Sequence, residues 1–281
     1  MTDVPPLTWL YVPADRPDRV EKAIASAAHA VIVDLEDGVA ADAKEQARAN
    51  LLALLDRKRE KPVSVRVNPP RTALGAADLE VVASLPGADS IHVPKVGSAD
   101  DVRAVLALLP RRESAYRLHC LLESAFALES AYAIAICDPA VAGISLGEAD
   151  LRSETGALES GLDWARGRVV NAAVAAGLPR PPQSVYPHVD DEEGLARSCE
   201  RGRELGHLGR AAIHPRQLPL IEAAYLPTEA EAARARETVE RLEAAAGATT
   251  LAGGEFVDAA MFGAARQLLA LVARYGTSSS R

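Results

Sequence analysis

The chain has 281 residues, of which 48% are hydrophobic and 25% charged, and its formal net charge is -8. That length and apolar content suit one large α/β domain or two small ones, and the acidic balance argues against nucleic acid or an anionic membrane as principal partner, although a local basic patch can still bind a phosphorylated ligand. The cysteines Cys120, Cys137 and Cys199 form no CxxC pair and are odd in number, which disfavours a disulfide framework or a thiolate zinc site and suits a reducing compartment.

Residues 1–7 carry neither a basic n-region nor an apolar h-region, and no segment is long and charge-free enough to span a bilayer, so a soluble cytoplasmic protein is expected. Residues 7–12 read as a first strand, followed by the polar turn Pro13-Ala14-Asp15-Arg16-Pro17 and a helix over 18–27. Strands are predicted over 29–34, 63–67, 90–93, 117–122 and 141–146, with helices over 43–55, 76–85, 101–109 and 126–136 between them. A polar loop over 147–161 then leads to a helix over 164–176, a seventh strand at 184–186, a helix over 192–204 and an eighth strand at 210–213.

Eight strand–helix units predict a (β/α)8 TIM barrel over residues 1–226. Residues 227–281 add C-terminal helices over 229–245 and 259–274, broken at Gly253-Gly254, and this extension is expected to cap the barrel or pack on a neighbouring subunit. A doubly wound open sheet is the structural rival, but no GxGxxG follows the first strand and no GxxxxGK[ST] occurs.

In such a barrel the strand C-termini surround the active site. The polar residues there are Asp34, Glu36 and Asp37 after strand two, Arg66 ending strand three, Lys95 after strand four, Glu123 after strand five, Glu148 and Asp150 after strand six, and His214 after strand eight. Glu123 and Asp150 are either metal ligands or ordinary loop carboxylates, and hard oxygens with few histidines nearby suit Mg²⁺, or Mn²⁺, better than zinc. Asp34, Glu36 and Asp37 fit a structural ion-pair network more readily than direct chemistry. Arg66 either pairs with one of these acids or offers its fork to a carboxylate or enolate oxygen. Lys95 admits a Schiff-base role that a carboxylate metal pair makes less economical. His214, before Pro215, is a base or a packing residue. The cysteines, Trp9 and Trp164 are assigned to the core.

The strings Leu10-Tyr11-Val12-Pro13-Ala14-Asp15-Arg16, Asp34-Leu35-Glu36-Asp37-Gly38-Val39, Val65-Arg66-Val67-Asn68, Val93-Pro94-Lys95, Leu122-Glu123-Ser124, Gly147-Glu148-Ala149-Asp150-Leu151 and Ala212-Ile213-His214-Pro215 resemble, in order, the citrate lyase beta subunit-like family of CoA ester lyases. The resemblance implies a TIM barrel of the phosphoenolpyruvate/pyruvate superfamily that binds Mg²⁺ and assembles as a homotrimer or trimer-based oligomer. It implies Glu123 and Asp150 as metal ligands and Arg66 as the cation facing substrate, and Asp34, Glu36, Asp37 and Lys95 are expected to bind substrate together with Arg66. Gly254-Glu255-Phe256-Val257-Asp258 resembles the family's C-terminal segment, which implies acid–base work for Asp258, reaching the site of an adjacent subunit.

The activity so implied is cleavage of a β-hydroxyacyl-CoA, of the citramalyl-CoA or malyl-CoA type, to acetyl-CoA and a 2-oxo acid. Alternatives are a citryl-acyl-carrier-protein lyase, a malate synthase-like condensation with hydrolysis, and a non-catalytic CoA-ligand binding protein. Two departures bear on substrate. Gln183 stands where relatives often have an acid, and residues 152–162 lack the expected Gly- and Arg-containing loop.

Overall fold

The computed structural model describes residues 4–110, 116–245 and 248–278, so the first three of the seven N-terminal residues read above lie outside it. Seven parallel strands form one sheet: β1 (Thr8–Pro13), β2 (Ala30–Asp34), β3 (Val63–Arg66), β4 (Ser90–Val93), β5 (Leu118–Leu122), β6 (Val141–Leu146) and β7 (Arg210–Ala212). Their spatial order is β6-β5-β4-β3-β2-β1-β7. The connections carry α1 (Pro17–Ala25), α2 (Lys44–Leu54), α3 (Ala73–Ala83) and α4 (Ala99–Leu108), then α5 (Ala125–Glu129) and α6 (Ala131–Ala135), α7 (Glu148–Thr155), α8 (Asp163–Ala175) and α9 (Glu192–Glu204). The single helix expected over 126–136 is thus two short ones that meet at Ser130.

The sheet curls. Trp9 on β1 meets the rings of His92 on β4 and His119 on β5 edge-on, at 5.7 and 5.6 Å between centroids. Neighbouring strands lie about 4.8 Å apart, so these residues sit three and four strand widths away along the sheet, and ring contact requires the sheet to wrap around them. The registers Trp9↔Ala30, Ile32↔Ser64, Ser64↔Ser90 and His92↔His119 place those residues on this inner face. There Trp9, Ala30, Ile32 and Ala211 cluster, the hydroxyls of Ser64 and Ser90 share a hydrogen bond, and the rings of His92 and His119 stack at 4.8 Å. The alternate residues Val31, Val33, Val63, Val65, Ile91, Val93, Leu118 and Leu122 are buried on the other face. Each such side chain contributes about 1.5–3 kcal/mol on leaving water.

Among the described residues seven parallel strands stand where eight were expected. In place of a strand at 184–186, Gln183 makes one isolated parallel bridge to Arg210, and the Ser184 hydroxyl donates to the Leu146 carbonyl at the end of β6. Pro181-Pro182 before and Pro187 after this segment lack the N–H groups a ladder needs, which keeps it from extending. The stretch 147–161, expected as a loop, holds α7. Glu148 and Asp150 in its first turn suit the positive end of a helix, and Gly156, at φ 69°, ends it. Of the residues assigned to the core, Trp9, Cys120 and Cys199 are buried and Cys137 is half-buried, but Trp164 is 62% exposed at the start of α8.

The chain divides into two compact units, residues 6–221 and a second built from the segments 1–5 and 222–281. After α10 (Leu218–Tyr225), the second unit contains α11 (Glu229–Ala244), the antiparallel pair β8 (Thr249–Thr250) and β9 (Phe256–Val257), and α12 (Ala259–Tyr275). A capping box of Thr228 and Glu231 starts α11. Within this unit the Tyr275 hydroxyl donates to the Pro5 carbonyl at 3.3 Å, and Ser278 N–H to the Pro227 carbonyl at 2.8 Å.

Candidate active site

Asp34 and Arg66 end adjacent strands in register. Arg66 Nε donates to Asp34 Oδ1 and Nη2 to Oδ2, both at 2.7 Å, a bidentate fork. The same two oxygens accept the N–H groups of Glu36 at 2.9 Å and Gly38 at 2.8 Å, so Asp34 is fully committed to holding Arg66 and the loop that follows β2. The guanidinium carbon lies 5.0 Å from the centroid of the Tyr11 ring. Burial is the largest influence on Arg66 and disfavours its charge, but the hydrogen bonds and charge of Asp34, with Tyr11 and Glu36, together hold the group above its ordinary value.

The remaining nitrogen, Nη1, lies 2.9 Å from Glu36 Oε2 and 3.7 Å from Asp37 Oδ2. Its N–H does not aim at Glu36, whose Oε2 is buried without a hydrogen-bond donor among the described residues. Burial is the main cause that pushes the Glu36 carboxyl up to about 8; Arg66 opposes the shift, while Asp37, Glu123 and Asp34 add to it. Asp37 is exposed.

Residues not singled out from sequence hold this loop. Lys44 Nζ donates to the carbonyls of Leu35 at 2.5 Å and Glu36 at 2.6 Å, and Asn68 Nδ2 to Leu35 O at 2.8 Å. Asp78 accepts from Asn68 N and Nδ2 at 2.8 and 2.6 Å and from Arg48 at 3.0 Å. The signal was periodicity. Lys44 shares the buried face of α2 with Ala47, Leu51 and Leu54, and Asp78 that of α3 with Gly75, Leu79 and Val82.

On the other side of the rim Glu123 follows β5 and Asp150 sits in the first turn of α7. They converge on one cation, the Lys95 ammonium, which lies 3.2 Å from Glu123 Oε2 and 2.7 Å from Asp150 Oδ2. Lys95 has φ 55°, rare for a residue with a side chain, and its own N–H donates to Glu123 Oε2 at 3.1 Å. Burial raises the Glu123 carboxyl, with Lys95 opposing. For Lys95 the lowering by burial is overcome by Asp150 and Glu123, so the amine is held protonated. These ion pairs favour the charged amine over the neutral form that Schiff-base chemistry needs.

Gly147 makes room for this arrangement, since a Cβ there would stand 2.4 Å from Glu123 Cγ. Two carboxylates already gathered on one positive charge, one buried and one half-exposed, fit a hard divalent cation that keeps water and substrate oxygens as its other ligands. Among the described residues no group of three or more His, Cys, Asp or Glu is arranged to ligate a metal, so the side-chain carboxylates here would supply two ligands at most.

Glu148 is otherwise engaged. Arg166 grips its carboxylate through Nε at 2.9 Å and Nη2 at 2.6 Å, and also pairs with Glu159 and Asp163. His214 Nδ1 accepts the Arg216 N–H at 3.2 Å and caps a short turn, the structural reading of that residue. Asp258, in the second unit, is the N-cap of α12 and accepts the Ala260 N–H at 2.9 Å. Gln183 lies outside the rim constellation. Its Nε2 donates to Ser198 O at 3.1 Å, and its Oε1 accepts from the buried Arg210 at 3.0 Å.

The model of the HpcH/HpaI aldolase/citrate lyase family matches residues 7–215. Among curated proteins, the chain is 37% identical over 274 residues to a (3S)-malyl-CoA thioesterase from Cereibacter sphaeroides, covering 93% of this chain and 92% of that one. It is 32% identical over 285 residues to an L-malyl-CoA/beta-methylmalyl-CoA lyase from the same organism, covering 89% of each. Among solved structures, CitE from Mycobacterium tuberculosis in complex with magnesium, acetoacetate and coenzyme A superposes with a TM-score of 0.80 at 32% identity, over 97% of this chain and 100% of that one.

Proposed function

The chain belongs to the HpcH/HpaI aldolase/citrate lyase family, and from that premise we propose that it is a Mg²⁺-dependent carbon–carbon lyase cleaving a β-hydroxyacyl-CoA of the malyl-CoA or citramalyl-CoA type to acetyl-CoA and a 2-oxo acid. The observation that carries this reading is the convergence of Glu123 and Asp150 on a single cation position on the same rim as the Arg66 fork. Magnesium in the solved relative, together with coenzyme A, supports both cofactor and substrate class.

Glu123 and Asp150 would hold Mg²⁺, or Mn²⁺ on the same oxygen set, and the ion supplies Lewis-acid polarisation of the substrate's hydroxyl and carboxylate oxygens. Lys95 gives up its place between the carboxylates and remains beside the substrate as a second cation. Bond cleavage leaves negative charge on the thioester oxygen, and Arg66, locked by Asp34 and backed by Tyr11, offers Nη1 to it. A preorganised donor of this kind contributes about 3–4 kcal/mol to the barrier. Asp258 is the proposed base that takes the hydroxyl proton and then, as its conjugate acid, returns it to the enolate carbon to give acetyl-CoA; it would be contributed by the second unit of an adjacent subunit in a trimer-based assembly. The eight-stranded barrel is completed, in this reading, by the segment around Gln183 between β6 and β7. A cytoplasmic location accords with the composition. No described helix is long and apolar enough to cross a membrane.

The thioesterase relatives favour a second reading, in which the same site hydrolyses the thioester. Purified protein with malyl-CoA and citramalyl-CoA, with and without Mg²⁺, separates the two. Metal-dependent glyoxylate or pyruvate together with acetyl-CoA is the expected result. Free thiol without a 2-oxo acid would assign hydrolysis, and no turnover by the metal-loaded protein would shift the reading to an acyl-carrier-protein thioester or to ligand binding alone.

A further inference from the structure

Arg66 commits Nε and one N–H of Nη2 to Asp34, which leaves Nη1 as the nitrogen with both N–H groups available to a ligand. The group at Nη1 is Glu36, 5% exposed, with an oxygen that no donor satisfies although the guanidinium is 2.9 Å away. An ionised carboxylate in that position would be an uncompensated buried acceptor and would compete with any anionic oxygen for Nη1. A neutral carboxylic acid there reverses both effects. It carries an O–H donor beside Nη1, so acid and guanidinium present two donors to one anion, and it adds no second negative charge beside an Arg66 already paired with Asp34.

We propose that Glu36 works as a carboxylic acid, the second hydrogen-bond donor beside Arg66 Nη1, and that the pair receives an anionic substrate oxygen only while Glu36 keeps its proton. The proposal rests on the lyase reading for the identity of that oxygen, the thioester enolate during turnover and the carboxylate of a 2-oxo acid in simple binding. The charges facing Glu36 favour the neutral form on balance. Asp34 on β2, Asp37 on its own loop and Glu123 after β5 disfavour a further negative charge; Tyr11 on β1 is buried, its phenol held above the ordinary value by that burial; Arg66 on β3 is the opposing cation. Lys44 on α2 is committed to the carbonyls of Leu35 and Glu36. These balance near a value of about 8, so the acid form persists through neutrality and is lost in mild alkali.

The experiment is calorimetric binding of pyruvate to the Mg²⁺-loaded protein from pH 6.5 to 9.5, for the wild type and Glu36→Gln, with kcat/KM for the thioester followed over the same range. Wild-type affinity is expected to fall at least about tenfold across the range as one proton is lost. Glu36→Gln keeps a donor that cannot ionise, so its binding curve is expected to be flat whatever its absolute level. A wild-type affinity independent of pH overturns the proposal without reference to the variant, and so does an alkaline fall that persists in Glu36→Gln. Absence of binding by both pyruvate and glyoxylate at every pH, with neither thioester cleaved, would instead remove the lyase reading and this proposal with it.

Discussion

A single methyl group separates a working carboxylate pair from a displaced one at Gly147. With a Cβ only 2.4 Å from Glu123 Cγ, Gly147→Ala must push Glu123 away from Asp150 and Lys95. The expected outcome is at least about a hundredfold loss in kcat/KM, since misplacement of about 1 Å costs that much, with weakened Mg²⁺ binding by calorimetry and a fold unchanged by circular dichroism. Lys95 calls for the opposite sign. Its ammonium neutralises the pair in the absence of metal, so Lys95→Met removes a competitor and is expected to tighten Mg²⁺ binding by about tenfold or more while lowering turnover. Weaker binding in that variant would show that Lys95 aligns the carboxylates rather than occupying the metal's place.

Short elements with conflicting local signals were harder to read than long periodic ones. The β-branched runs of β2 and β3 and the apolar spacing of α2 were legible, because burial on both faces and a 3.6-residue period each leave a mark in the sequence. Glu123, Asp150 and Arg66 were legible as rim residues for the same reason, each lying at or just beyond the end of such a strand or at the start of the helix that follows. The α7 helix was not, because Gly147 and the polar run after it resemble a loop until the acidic first turn and Gly156 are weighed together. Nor could strand-end position separate Glu148 from Asp150. Their side chains differ in what reaches them, Arg166 for one and Lys95 for the other.

Gln183 illustrates the same limit, since its place in the sequence did not show that its side chain meets the buried Arg210. Arg210 spans Gln183, Ser184, Ser198 and the Cys199 sulfur from a fully buried position. Gln183→Ala would strip a partner from that guanidinium and leave a cavity, and is expected to destabilise the protein by about 2–4 kcal/mol in chemical denaturation. A loss below 1 kcal/mol would mean that Arg210 re-forms its contacts elsewhere.

For the whole molecule, the division into two units separates the residues of the rim from Asp258 along the chain. If Asp258 serves the site of an adjacent subunit, Glu123→Ala and Asp258→Asn are each inactive alone, and an equal mixture refolded together recovers about a quarter of wild-type activity, because a site can combine intact halves from two chains. No recovery in mixed oligomers would confine Asp258 to its own chain or remove it from the reaction.

Below the rim, the curled sheet is filled in part by imidazole. His119 is pushed down to about 4 and His92 well below its ordinary value, in both cases chiefly by burial, so neither carries charge at neutral pH. Stacked against each other and edged by Trp9, the two rings make the site's floor an insulator. A cell that acidifies by a unit or two does not electrify it. These two imidazoles therefore add no charge to the field felt by a bound anion, and ionic changes that would rewrite a floor of ordinary histidines pass this pair by.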